Sequence, residues 1–239
     1  MAVAEAEGEV VGFAGVVERA GVAMVADLFV DPRRHGMGIG ARLLADVLGD
    51  RWPRQTFSSA HVYALPLYIR AGMVPRWLAL YLRGDPTALP AARGFDTEPA
   101  TPGALAELER SWGGVTRPLD HAYWASAPGA MPMTVRRGGL PVAFAYLVHG
   151  RHGDPSWGIS SMSAAPIMDA HGQAAVLATV LRTAAEHAIA SVRIVLAGHH
   201  AATVPLLRAG WRIEDRDIYV ASEPGLLDPL RRVPDSTFA

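Results

Sequence analysis

The apolar positions of the chain open with two paired runs. Ala2–Ala6 leads into the turn Glu7-Gly8-Glu9, and a β-branched and aromatic run continues over Val10–Glu18. After Arg19-Ala20-Gly21, Val22–Val30 reads as a mostly buried strand, ended by Asp31-Pro32 because proline cannot continue a ladder. Beyond a glycine-rich stretch, Leu43, Leu44, Val47 and Leu48 recur at helical spacing and predict a helix over Ala41–Leu48. Gln55–Ala60 predicts a strand, Leu65–Ala71 a short helix stopped by Gly72, and Leu78–Leu82 a last strand before Gly84-Asp85-Pro86.

Ala88–Gly94 reads as a linker, and a second set of elements follows. Thr101–Ser111 predicts a helix with Thr101 as N-cap and Pro102 in its first turn. Asp120–Ala125 predicts another. Met133–Arg136 and Val142–Val148 flank Gly138-Gly139 as a hairpin. Trp157–Ser163, Val192–Ala197 and Ile213–Val220 predict strands, with helices at Ala174–Ala190 and Val204–Ala209. The halves echo each other: Leu65-Pro66-Leu67-Tyr68-Ile69-Arg70-Ala71-Gly72-Met73 is repeated in Val204-Pro205-Leu206-Leu207-Arg208-Ala209-Gly210-Trp211, roughly 140 residues later, a domain-sized period. Two α/β domains of one kind are expected, spanning 1–87 and 95–239 with 88–94 between them. The first lacks the two helices that precede the hairpin in the second.

Composition narrows the function classes. The chain has 239 residues, half of them apolar, with 19% charged and a formal charge of -1; its mean hydropathy is +0.16. This excludes a disordered chain and argues against a broadly basic nucleic-acid binder. With no cysteine, thiol nucleophiles and zinc–thiolate sites are out. No apolar run reaches the roughly 20 residues of a membrane span, and Met1–Val10 lacks the basic start of a signal peptide. A cytoplasmic protein without membrane or nucleic-acid partners is expected. Lysine and asparagine are both absent, as a GC-rich genome would produce, so arginine is weaker evidence for anion recognition than usual.

The most informative segment joins the strand Val22–Val30 to the helix at Ala41 through Arg33, Arg34, His35 and three alternating glycines, Gly36, Gly38 and Gly40. Glycines let successive N–H groups converge on an anion, and the helix N-terminus adds unpaired donors and partial positive charge. That suits a pyrophosphate. Gly36-Met37-Gly38-Ile39-Gly40-Ala41 also fits a dinucleotide-binding G-x-G-x-x-A. That motif, however, needs the strand to run almost straight into the first glycine, and an acid about 20 residues on. Asp31–His35 intervenes here, and no carboxylate stands at Ala60-His61.

Val30-Asp31-Pro32 with His35-Gly36-Met37-Gly38-Ile39-Gly40, followed by His61-Val62-Tyr63-Ala64-Leu65-Pro66-Leu67-Tyr68-Ile69-Arg70-Ala71-Gly72-Met73, resembles the GNAT superfamily of acyl-CoA-dependent N-acyltransferases. The shared signature is a strand ending V-x-P, then R/Q-x-x-G-x-G/A opening a helix, then N-x-x-A-x-x-x-Y-x-x-x-G-F. His35 replaces Arg/Gln, His61 replaces Asn and Met73 replaces Phe. The resemblance covers Met1 to about Arg83 and implies a mixed, mostly antiparallel twisted sheet flanked by helices in each domain. It also implies acetyl-CoA as co-substrate, no metal, and a small-molecule or peptide amine as acceptor. In this family the missing helices usually cover the acceptor side, so the resemblance implies that the second domain or a partner chain, as in a homodimer, replaces them, or that the sequence starts too late and the acceptor site is incomplete. The second domain resembles the same fold without its chemistry: Gly172 is the one glycine between Ser163 and Ala174, and Leu206 stands in place of Tyr68. It is expected to bind no CoA.

Acyl transfer to an amine needs an uncharged nucleophile, a stabilised oxyanion and a proton for the leaving thiolate. The resemblance assigns the oxyanion contact to backbone N–H near Leu28, Phe29 and Val30, where two strands part to admit the pantetheine arm. Pyrophosphate falls to the amides from Arg34 through His35, Gly36, Met37, Gly38, Ile39 and Gly40 to Ala41, with His61 and Ala64 bordering the cofactor. Tyr68 is the proton donor. Asp27, on the strand of the oxyanion contact, is the first candidate base and Glu18 the second; water is the other option. A non-catalytic acyl-CoA-binding module is the competing reading. His187, His199 and His200 raise a metal site without a carboxylate at suitable spacing. Trp112, Tyr123 and Trp124 fit a core or an acceptor pocket. Arg136-Arg137 and Arg231-Arg232 read as solvated.

Overall fold

The computed structural model describes residues 1–90, 92–113, 117–149 and 156–234; Ala91, within the expected linker, lies outside them. The chain divides into two compact units. Unit 1 holds Met1–Ala79 and Arg216–Leu227, and unit 2 holds Leu80–Asp215 and 228–234. Each is a twisted, mixed sheet flanked by helices.

In unit 1, the strands β1 (Ala2–Ala6), β2 (Glu9–Arg19) and β3 (Val22–Val30) form an antiparallel meander. Helix α1 (Ile39–Leu48) follows, then β4 (Arg54–Ser59), α2 (Ala64–Arg70) and β5 (Val74–Gly84). β4 pairs in parallel with β3 on one side, and antiparallel with β11 (Arg212–Ala221) on the other. Helix α1 turns Leu43, Leu44, Val47 and Leu48 inward, covering the sheet face that carries Ala14, Leu28 and Val30. On the other face Trp77 stacks on Tyr219 with ring centroids 4.7 Å apart.

Unit 2 repeats the plan after β6 (Phe95–Pro99), α3 (Pro102–Ser111) and α4 (Pro118–Ala125). Its meander is β7 (Met131–Arg137), β8 (Leu140–His149) and β9 (Trp157–Ala164); α5 (Ala170–Glu186), β10 (Val192–Ala197), α6 (Thr203–Arg208) and the short β12 (Arg232–Val233) complete it. Helices cover both faces of this meander. α5 buries Val176, Leu177, Val180 and Leu181 in the main core, while α3 and α4 bury Leu105 and Trp124 against Phe144 and Tyr146.

Most expected elements are present, with shifted ends that have local causes. Helix α3 begins after Thr101, whose hydroxyl accepts the Ala104 N–H. Helix α5 starts four residues before the expected Ala174, because Asp169 caps it by accepting the Gly172 N–H, and it stops before Ala190, where Ala188 takes φ 57°. β6 and β12 carry no periodicity long enough to predict them. Arg231-Arg232 is not solvated as expected. Arg231 Nε donates to Ala164 O at 3.1 Å, and Arg232 reaches the buried Glu109 at 3.4 Å. Burial and the neighbouring Arg117 pull the Arg232 guanidinium down to about 10.

Candidate active site

The chain makes a cleft in unit 1 by parting two parallel strands. β3 and β4 pair only at Ala23↔Arg54 and Met24↔Gln55, and the Thr56 hydroxyl then donates to Val25 O at 2.7 Å. Beyond that point they separate. The β2 register skips Ala26, pairing Gly15 with Asp27 but Val16 with Val25. Ala26 is therefore a β-bulge, which bends a strand and raises its local twist. It also changes which side chains face α1: Ala23 and Val25 before it, Leu28 and Val30 after it.

The register also decides which backbone groups face the parted edge. Asp31 N–H donates to Val11 O at 2.9 Å, flanking the Gly12↔Val30 pair. That pair is then non-hydrogen-bonded with β2, as is Ala14↔Leu28 two residues on. The N–H and C=O of both Leu28 and Val30 turn toward the cleft. His35 Nε2 donates to Val30 O at 3.0 Å, as this orientation requires.

At the cleft's other end, Asp31 accepts from Arg33 N–H and caps the short turn Pro32–Arg34. Gly36 and Gly38 then take φ 80° and 76°, with nothing within 4 Å of where a Cβ would stand. Gly38 is the N-cap of α1 and offers no side chain to its free amides. A helix leaves its first N–H groups without intrahelical partners, so the amides around Ile39, Gly40 and Ala41 are donors that no side-chain cap takes up.

Residues 1–74 match the family model described as an acetyltransferase (GNAT) domain. This part of the chain is similar to GNAT acetyltransferase domains. No curated protein matches the chain. Among solved structures, a GCN5-related N-acetyltransferase from Sphaerobacter thermophilus is 17% identical, with 98% of this chain and 81% of that one covered at TM-score 0.61. A tandem GNAT protein from the clavulanic acid biosynthesis pathway is also 17% identical, with 95% and 83% covered at 0.57. A GCN5-related N-acetyltransferase from Anabaena variabilis is 14% identical at 0.59, and this chain covers 92% of itself and 61% of that protein. At such identities the likeness is one of fold, and it extends over both units. The antiparallel meander and the turn between β3 and Gly36 also remove the dinucleotide-binding alternative, which needs a parallel sheet.

Within unit 1 a cavity of about 490 Å³ runs from the glycine turn to α2. Its lining takes in Leu28, Phe29, Val30, Arg34, His35, Gly36, Gly38, Ile39, Gly40, Ala41, His61, Ala64 and Tyr68. Met37 instead borders a separate depression beside β1, and Asp27 lies on the exposed face of β3 outside the lining. Glu18 is directed away, 3.5 Å from Arg51. Tyr68 is buried; burial, and then the Asp217 carboxylate, push its phenol up to about 12, so it keeps its proton at neutral pH. His35, His61 and Tyr63 group their rings at the wall, with centroids 5.4–6.0 Å apart.

Sequence reading missed Pro32, Ser59, Tyr63, Leu67 and Arg70, which share the lining. Leu67 lies one helical turn from Ala64 and was open to discovery by spacing. The others had no such signal. Elsewhere, His200 is buried with Nδ1 accepting the Ala202 N–H, and burial followed by His199 pulls its imidazole down to about 4. His187 Nδ1 lies 2.9 Å from Thr183 O. Among the described residues no group of three or more His, Cys, Asp or Glu side chains is placed to hold a metal. Trp112 and Trp124 lie in the core beneath α3 and α4, and Tyr123 is exposed.

Proposed function

We propose that unit 1 transfers an acetyl group from acetyl-CoA to an amine, small molecule or peptide, by direct attack within a ternary complex. The observation carrying this reading is the parted β3–β4 edge, which leaves the N–H groups of Leu28 and Val30 unclaimed by any strand. The residues fit the cofactor: positive-φ glycines with empty space above them, and an uncapped helix N-terminus, can take a diphosphate. Arg34 also lines the cavity, its guanidinium 3.2 Å from Glu7. When bound, acetyl-CoA supplies the activated acyl carbon and a good leaving thiol.

The chain's own groups do the rest. N–H at Leu28 and Val30 can hold the acyl oxygen and the negative charge that develops on it. Tyr68 holds a proton that a departing sulfur needs, and its raised phenol retains it across the neutral range. Asp27, exposed on the adjacent face, is in this reading the carboxylate that takes a proton from the incoming amine, directly or through water. In this reading the expected domain 1–87, completed by the returning strand 216–221 of unit 1, transfers the acyl group, and unit 2 serves structure or acceptor recognition.

Thiol release from acetyl-CoA, measured with a panel of amines, tests the reading. Tyr68→Phe is expected to lower kcat by about 100-fold or more while the acetyl-CoA Kd stays within about twofold. A binding module would show coenzyme-dependent thermal stabilisation, no thiol release and no effect of Tyr68→Phe. Stabilisation by NAD and not by CoA would overturn both.

A further inference from the structure

The sheet face of unit 1 opposite α1 carries an apolar row that no core cluster uses. Ala2, Ala4, Ala14, Leu28 and Val30 pack toward α1, so strand alternation sends Val3, Phe13 and Phe29 to the other face. The register aligns them directly, Val3↔Phe13 and Phe13↔Phe29. The two rings lie 5.2 Å apart, with Phe13 37% and Phe29 59% exposed. Phe29 also lines the cavity, so this aromatic shelf and the cleft share a wall.

Unit 2 contains the covered version of this face. Phe144 follows Gly139 in its hairpin as Phe13 follows Gly8. It is 0% exposed, packed with Leu105 of α3 and Trp124 of α4, and stacked with Trp112. The aromatic is present in both units, but only in unit 1 is it accessible to a ligand. Charge narrows the ligand further. Asp27 is on the same face beside Phe29, its Oδ2 lying where it would be 3.4 Å from a Cβ at Gly15. Among the described residues Asp27 has no hydrogen-bond or ion-pair partner.

We propose that the acceptor is an arylalkylamine or a close relative, with an aromatic or bulky apolar group on the Phe13–Phe29 shelf and a cationic nitrogen drawn to Asp27. The inference rests on the acetyl-transfer reading of the cleft. In the reaction the nitrogen–acyl bond forms and the carbon–sulfur bond breaks. The incoming ammonium gives up two protons; one ends on the thiol sulfur, delivered through Tyr68, and the other passes to solvent by way of Asp27.

The test compares 2-phenylethylamine, ethylamine and glutamate as acceptors, by thiol release and by calorimetric binding to the protein saturated with CoA. For the wild type, kcat/KM for 2-phenylethylamine is expected to exceed that for ethylamine at least tenfold, with glutamate poorest. Phe13→Ala, which removes a ring outside the cavity lining, is expected to erase most of that ratio. Asp27→Asn is expected to reduce the discrimination against glutamate. Equal use and equal binding of the two neutral-chain amines would overturn the proposal. So would concentration-dependent self-association abolished by Phe13→Ala, since the shelf would then be an interface between copies. If no amine releases thiol, the acetyl-transfer reading fails separately, and the binding preference and its loss in Phe13→Ala still decide the shelf.

Discussion

The same cleft is built twice in this chain and left open once. In unit 2, β9 and β10 also pair at only two positions, Val192↔Trp157 and Arg193↔Gly158. The edge of β9 beyond them is taken by β12, which pairs Arg232 with Ser163 and Val233 with Met162. The helix that follows differs in the same sense. Asp169 caps the first turn of α5, its carboxylate accepting the Gly172 N–H at 2.8 Å, whereas Gly38 leaves the first turn of α1 bare. A buried Leu206 stands where unit 1 has Tyr68. A parted pair of strands is thus a property of the fold; a binding site requires that nothing in the chain satisfy the exposed donors first.

The covering of the second unit supplies the largest expected effect. Beneath α3 and α4, Glu109 accepts from Arg117 at 2.8 Å and lies 3.1 Å from His121 Nε2, while His121 Nδ1 is 2.8 Å from the Tyr146 hydroxyl. Burial pushes the Glu109 carboxyl up, but the hydrogen bonds from His121 and Arg117 and the charges of Arg117 and Arg232 outweigh it. They hold the group at about 2, below the usual 4.5. Glu109→Gln would leave Arg117 buried without its counter-charge and is expected to cost about 3–5 kcal/mol in denaturant unfolding. A depressed carboxyl stabilises fully above its unfolded value, so the wild-type advantage should persist at neutral pH and fade as pH falls from about 4.5 toward 2. A pH-independent difference between wild type and Glu109→Gln across that window would show that the network's charge contributes nothing. Acetyl-CoA affinity should not change.

A second prediction acts on the open cleft. Gly38 holds φ 76° at the start of α1, and a side chain there is strained by roughly 1–3 kcal/mol. Gly38→Val is expected to move the turn off its donor geometry and weaken acetyl-CoA by about tenfold or more, read by calorimetry, with helix content by circular dichroism kept. Retention of wild-type affinity would mean that the glycine turn does not carry the diphosphate.

How legible these features were in the sequence depends on how local they are. The glycine turn, Tyr68 and the missing glycines of the second copy are each contained in a few consecutive residues, and all were readable. The bulge at Ala26 was not. Val22, Ala23, Met24, Val25 and Ala26 are all apolar, so the change of face between Val25 and Leu28 leaves no trace in the pattern. The Glu109–Arg117–His121–Tyr146 network joins two helices and a strand, and Arg232 reaches it from the chain's far end. A charged residue type carries no information about burial of that kind, which is why Arg232 read as solvated. β12 is two residues long, shorter than any period that could announce it.

The smallest effect tests which of the two closures matters more in unit 2. Asp169→Ala removes the cap of α5 and should lower stability by about 1 kcal/mol, the usual worth of an N-cap. It also strips a carboxylate from the end of a helix that would otherwise attract anions. If the cap alone kept coenzyme out, the variant would gain a second binding event in calorimetry. β12 still occupies the edge of β9, however, and Leu206 offers no proton. The stoichiometry is therefore expected to stay at one acetyl-CoA per chain. A second site appearing in Asp169→Ala would mean that the filled edge is no barrier and that the cap is what separates the two copies.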